Sequence, residues 1–212
     1  FDRIAESFTI ANALNQSETF SKYIFLEQRK PKGTEYFNGI LHAIQNNLII
    51  TFQLNSYWAE ATQRRCVPKA IKEAQNRWYL IGYDLDREDF RNYGLDRITN
   101  FEITSSKKAT PNININNEYK NAFGIETYGE PTTILIEFEN SQKEYIKSLP
   151  FHASQKIVEE KNKSFIIELF IHPTFDFRME LLKYGDQCEV LEPKKLRDEM
   201  KAIVVNLSKM YK

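Results

Sequence analysis

Arg77-Trp78-Tyr79-Leu80-Ile81-Gly82-Tyr83 is the stretch on which the fold reading turns. Its aromatic and aliphatic density marks a strand. With the two-residue period of a strand, Trp78, Leu80 and Gly82 share one face, and Tyr79, Ile81 and Tyr83 the other. Moving toward the N-terminus, Arg64-Arg65-Cys66-Val67-Pro68-Lys69-Ala70-Ile71 reads as a strand whose proline belongs at an edge or end. Leu48-Ile49-Ile50-Thr51-Phe52-Gln53-Leu54 precedes it as another. Toward the C-terminus, the acidic connection at residues 84–89 leads into Phe90-Arg91-Asn92-Tyr93-Gly94-Leu95 and then a strand over residues 98–104. Short strands with regular turn punctuation predict a small β-barrel.

Residues 1–47 carry helical spacing instead. Ile4, Phe8, Ala11 and Leu14 recur every three to four residues, as do Phe37, Ile40, Leu41 and Ile44, ending at Asn46-Asn47. Arg29-Lys30-Pro31-Lys32-Gly33-Thr34 separates the two helices as a turn. Residues 105–130 are polar and broken by Pro111, Gly124 and Gly129, which places a boundary there.

The last third reads as strand, helix, strand, strand, helix, strand, then one more helix. Residues 132–139 alternate, and Ser141-Gln142-Lys143-Glu144 is a capping box ahead of Tyr145, Ile146 and Leu149. Residues 155–160 and 164–171 flank a polar turn. Phe175, Met179 and Leu182 lie on a helix running to Gly185 as its C′ residue. Residues 187–191 form a strand, and Pro193 opens a helix with Leu196, Met200, Ile203, Val204 and Leu207 on one face. That order is the split βαβ of a ferredoxin-like domain. The fold class is therefore α+β: helical segment 1–39, barrel 40–108, linker 109–130, and a ferredoxin-like domain with an extra terminal helix over 131–212.

Composition narrows the function classes. The chain has 212 residues, 42% of them hydrophobic, and 29 basic residues balance 29 acidic ones. A globally charged, partner-seeking chain is excluded. No apolar run approaches the ~18 residues of a membrane span. Cys66 and Cys188 are far apart and read as free thiols in a reducing cytoplasm. The start at Phe1-Asp2-Arg3-Ile4 fits neither a signal peptide nor an initiator Met, and reads as the interior of a longer chain.

Chemistry-bearing motifs are sparse. His42, His152 and His172 are isolated, without metal-ligand spacing, and read as hydrogen-bonded surface histidines. Asp84-Leu85-Asp86-Arg87-Glu88-Asp89 lacks the central glycine and final glutamate of a calcium loop, so it reads as a hairpin turn. No phosphate-binding glycine loop or nucleophile elbow is present, so no catalytic residue, metal or cofactor is expected. Basic residues instead gather on the central strands: Arg64, Arg65, Lys69, Lys72, Arg77, Arg91 and Arg97. With Tyr79 they form either a solvated, structural set or a pocket where bases stack and guanidinium groups meet phosphate. The acidic residues Glu73, Asp84, Asp86, Glu88, Asp89 and Asp96 nearly cancel that charge, against a broad duplex-DNA surface.

Val67-Pro68-Lys69-Ala70, Arg77-Trp78-Tyr79-Leu80, Asp89-Phe90-Arg91 and Leu95-Asp96-Arg97-Ile98, in that order, resemble the signature of the WYL domain over about residues 40–105. Residues 175–185, followed by Cys188-Glu189-Val190-Leu191-Glu192-Pro193 and Leu196-Arg197, resemble the WYL C-terminal extension over about residues 131–212. The resemblance implies an SH3- or Sm-like barrel followed by a ferredoxin-like extension in a bacterial transcriptional regulator, not an enzyme. It implies a nucleic-acid-type ligand, a single-stranded oligonucleotide or cyclic nucleotide, at Arg64 or Arg65, Arg77, Tyr79, Arg91 and Arg97. It also implies a homodimer, and operator DNA bound through an N-terminal winged helix-turn-helix outside this stretch. Two positions depart from the family pattern: Gly94 stands where a basic residue is usual, and Leu54 where an aromatic often ends the first strand.

Overall fold

The computed structural model describes residues 31–211; the expected helix over residues 1–30 lies outside them. A short 3-10 turn (Thr34–Tyr36) leads into α1 (Phe37–Asn46), which ends with Asn47 in the left-handed conformation. Five strands follow: β1 (Leu48–Leu54), β2 (Thr62–Ala74), β3 (Arg77–Asp84), β4 (Asp89–Gly94) and β5 (Ile98–Lys107). They form one antiparallel sheet in the order β4-β3-β2-β1-β5. Gln75 and Asn76 both have positive φ and close the β2–β3 hairpin in two residues, the backbone such a tight turn requires.

The sheet is open rather than the closed barrel predicted. Closure needs a ladder between the edge strands, but β4 and β5 are joined only by the 3-10 turn Leu95–Arg97. Helix α1 covers the apolar face instead, packing Ile40 and Ala43 against Ile50, Phe52, Cys66, Leu80, Tyr93, Leu95 and Ile98. Pro68 also departs from expectation. It lies inside β2, an interior strand, where the register with β3 shifts between Pro68 and Ala70. A bulge at that point accommodates the missing N–H.

Residues 108–131 are not bare linker. They hold a helical turn, α2 (Ile115–Glu118), whose N-cap Asn114 accepts a hydrogen bond from the Asn117 N–H. Then come β6 (Thr132–Glu139), α3 (Lys143–Ser148), β7 (Lys156–Glu160), β8 (Ser164–Ile171), α4 (Phe175–Leu182), β9 (Cys188–Glu192) and α5 (Lys194–Met210). The second sheet is antiparallel in the order β7-β8-β6-β9. Its core joins Ile134, Ile136 and Phe138 of β6 to Phe165, Ile167, Leu169 and Ile171 of β8, roofed by Ile146, Phe177, Leu181 and Leu196.

Local signals failed at three points. The predicted capping box does not form: residues 140–142 make a 3-10 turn, and Gln142 caps α3 without a side-chain hydrogen bond. Helix α4 stops at Leu182, before Gly185, which begins a separate 3-10 turn. On α5 only Leu196 is fully buried, while Val204 and Leu207 of the expected apolar face are exposed.

Candidate functional site

A cavity of about 860 Å³ opens where β3 and β4 meet the segment between the sheets. The strand period explains its floor. Cross-strand partners share a face, so the pairs Tyr79↔Gly94, Ile81↔Asn92 and Tyr83↔Phe90 put Tyr79, Asn92, Gly94 and Phe90 on the side away from the first core. Four of the six residues predicted from sequence line this cavity: Arg77, Tyr79, Arg91 and Arg97.

The arginines are already engaged. Arg77 donates to Asp96 Oδ2 at 2.7 Å, and Arg91 lies 3.0 Å from Asp89 Oδ2. Hydrogen bonding to Tyr57 and the Asp96 charge raise the Arg77 pKa further. Gly94 makes the Asp96 contact geometrically available: a Cβ there would stand 2.6 Å from Asp96 Oδ1. The position at which the chain lacks a basic residue thus leaves room for a carboxylate that neutralises Arg77. Arg97 differs. Its Nε donates to the Asn55 carbonyl at 2.9 Å and its guanidinium lies 5.4 Å from the Tyr57 ring centroid, with no carboxylate partner among the described residues. Leu54 packs against the first core and does not line the cavity.

Arg64 and Arg65 lie elsewhere. Arg65 donates to Asp86 Oδ1 from Nε at 3.0 Å and from Nη2 at 2.6 Å, fastening β2 to the β3–β4 turn. Arg64 pairs across the ladder with Phe52, and its charge acts on the buried Asp84–Tyr93 pair. There the Tyr93 hydroxyl donates to Asp84 Oδ2 at 2.5 Å, and Asp84 Oδ1 accepts the Asp86 and Arg87 N–H groups. Burial pushes Asp84 upward, but these hydrogen bonds and Arg64 outweigh it and hold the carboxyl below its ordinary value. The acidic stretch is a hairpin turn, as predicted.

The far wall comes from the segment that reads as linker in the sequence. Tyr119 donates to Asn92 Oδ1 at 2.5 Å, and Asn92 Nδ2 donates to the Ile125 carbonyl at 3.1 Å. The Ile125 N–H donates to Asp176 Oδ2 at 3.2 Å, the Asp176 N–H to Glu126 at 3.1 Å, and the Phe175 N–H to the Tyr128 hydroxyl at 2.6 Å. The segment is therefore tied both to β4 and to α4. Lys72 sits 5.6 Å from the Tyr119 ring centroid, and burial pushes the Tyr119 phenol up to about 12. Tyr57, Phe90, Tyr119, Ile125 and Tyr128 were all missed. The available signal was a spacing of aromatic and aliphatic residues, Tyr119, Phe123, Ile125 and Tyr128, inside an otherwise polar stretch.

The three histidines have local partners. His42 contacts Asn46, His152 contacts Ser154 and the Lys120 carbonyl, and His172 contacts the Gly129 carbonyl. Among the described residues no group of three or more His, Cys, Asp or Glu is placed to hold a metal, and no helix is long and apolar enough to cross a membrane. Both cysteines are free, and burial raises their pKa values, that of Cys188 to about 11.

Two antiparallel sheets, joined by a structured segment that walls an arginine- and tyrosine-lined cavity, define the class: a two-sheet α+β protein with a cavity beside its first sheet. Residues 35–103 match the WYL domain and residues 130–207 the WCX domain, so the chain belongs to the WYL-domain family. Protein PafB of Mycobacterium tuberculosis and that of Mycobacterium bovis are each 25% identical to it over 177 residues, 81% of this chain and 52% of theirs. The chain thus spans about half the length of the curated relatives it matches. Among solved structures, a CRISPR Cas-related protein aligns over 84% of this chain and 52% of its own, at 16% identity and TM-score 0.51, a likeness of fold. Proteasome accessory factor B/C of Arthrobacter aurescens aligns over 84% of this chain and 27% of its own, at 18% identity and TM-score 0.36.

Proposed function

We propose that this chain is the effector-sensing and dimerisation part of a bacterial, cytoplasmic DNA-binding transcriptional regulator, without catalytic activity of its own. Its cavity takes a nucleic-acid-type ligand, a single-stranded oligonucleotide or a cyclic nucleotide. The observation that carries this reading is the convergence of Arg77, Arg91, Arg97 and Tyr79 on one cavity with Tyr57 and Phe90 beside them. Guanidinium groups suit phosphate, and aromatic rings suit bases. The resident carboxylates Asp89 and Asp96 restrict the ligand to a few phosphates, because each must compete for its arginine. Arg64 and Arg65 are excluded from this ligand set by their position.

In the same reading the first sheet is an SH3- or Sm-like unit left open, and the second a ferredoxin-like unit. Operator DNA is bound by a helix-turn-helix outside this stretch, and a homodimer forms. Support for the dimer comes from α5, whose Val204, Val205, Leu207 and Met210 are exposed. Titration of fluorescein-labelled single-stranded oligonucleotides at low salt tests the ligand. Salt-sensitive binding that weakens about tenfold or more in Arg97→Ala or Arg91→Ala is expected. Absence of binding by the unmodified chain to every oligonucleotide and cyclic nucleotide tried would remove the nucleic-acid reading.

A further inference from the structure

Beside the cavity, the loop between β1 and β2 presents two successive aromatic residues to solvent. Tyr57 is 68% exposed and lines the cavity; Trp58 is 95% exposed and makes no aromatic contact among the described residues. Their neighbour Asn55 is tied to the cavity arginine: its N–H donates to the Arg97 carbonyl at 2.9 Å, and Arg97 Nε donates back to the Asn55 carbonyl at 2.9 Å. The Trp58 N–H donates to Ser56 Oγ at 3.2 Å, which stiffens the turn. Consecutive Cα atoms stand about 3.8 Å apart, so Trp58 follows directly on a cavity-lining residue whose ring faces Arg97, the cavity arginine that has no carboxylate partner among the described residues. The chain's other tryptophan is built differently, half-buried with its ring 4.8 Å from Phe37.

We propose that Trp58 is a base-stacking platform that extends the site past the cavity rim, so that the ligand is a single-stranded oligonucleotide rather than a mononucleotide or cyclic nucleotide. This rests on the nucleic-acid reading of the cavity. One nucleotide occupies the cavity with its phosphate at Arg97, and the next base leaves the cavity across Tyr57 and stacks on the indole. Every base has a π-face, so this platform extends the site without demanding a sequence. A cyclic nucleotide has no further base to offer it.

The test compares thymidine 5′-monophosphate with pentathymidylate on the full chain at low salt, for the unmodified protein, Trp58→Ala, Trp58→Phe and Arg97→Ala. Trp58→Ala is expected to weaken pentathymidylate binding by about 5- to 150-fold and to leave monophosphate binding unchanged, with Trp58→Phe recovering most of the loss. Pentathymidylate, but not the monophosphate, is expected to quench Trp58 fluorescence. An unchanged melting temperature in Trp58→Ala separates this from misfolding, since the exposed indole supports no core. If pentathymidylate binds Trp58→Ala as tightly as the unmodified chain while Arg97→Ala loses it, the platform is wrong and the cavity reading stands. If neither ligand binds the unmodified chain, the cavity reading falls and takes the platform with it.

Discussion

Gly82 lies in the middle of β3, directly across the ladder from Arg91, and the first core closes only because this residue has no side chain. A Cβ built on it would stand 2.1 Å from Cys66 Sγ, where nonbonded heavy atoms settle at about 3.5–4.0 Å. The overlap is with a thiol at 0% exposure that has nowhere to retreat. Gly82→Ala should therefore cost about 2–3 kcal/mol, the upper part of the range for overpacking a core. Cys66→Ala alone should cost about 0.5–1.5 kcal/mol, comparable to deleting one buried methyl group. Together the new methyl enters the space that the sulfur leaves. The double variant should then be more stable than Gly82→Ala alone, with a coupling of about 1–3 kcal/mol. Some strain remains, because the Val67 carbonyl oxygen would lie 3.1 Å from the same methyl. Urea unfolding followed by Trp78 fluorescence measures this, since Trp78 packs against the same core. If the two costs simply add, so that the double variant is the least stable of the three, Cys66 Sγ is not the obstacle and the account of Gly82 fails.

Asp96→Asn should release Arg77 and tighten pentathymidylate binding roughly fivefold, about 1 kcal/mol for removing one partly exposed charge near the ligand; weaker binding in a titration would mean that Asp96 itself contacts the ligand. Tyr93→Phe deprives the buried Asp84 carboxylate of a hydrogen bond and should cost about 1.5–3 kcal/mol near neutrality in urea unfolding. The pH dependence follows from the direction of the Asp84 shift. Its folded-state pKa is depressed, so its stabilisation is present above the ordinary aspartate value of about 3.9 and is lost as pH falls through the lower folded value. The gap between the unmodified chain and Tyr93→Phe should accordingly shrink at about pH 3, and a gap of equal size at both pH values would contradict this assignment.

What the sequence determined by itself was everything carried by a local period. The strand period at residues 77–83 set the strand and the opposed faces of Trp78 and Tyr79, and the local periods after residue 131 set the succession of strands and helices there. The ordered WYL motifs placed Arg77, Tyr79, Arg91 and Arg97 together before any geometry was known. Arg64 and Arg65 lie apart from the others, because the cavity is lined from β3, β4, the segments that follow them and Tyr57, and takes no residue from β2. The tertiary structure alone decided that the first sheet stays open, since covering an apolar face with α1 satisfies the same burial as closing a barrel. It alone decided the cavity wall as well. Asn92 meets Tyr119 and Ile125 across 27 and 33 residues, a contact no window of the sequence contains. And it alone showed that two of the three cavity arginines, Arg77 and Arg91, already hold carboxylates, leaving Arg97 beside Tyr57 as the place where an anion enters without displacing one.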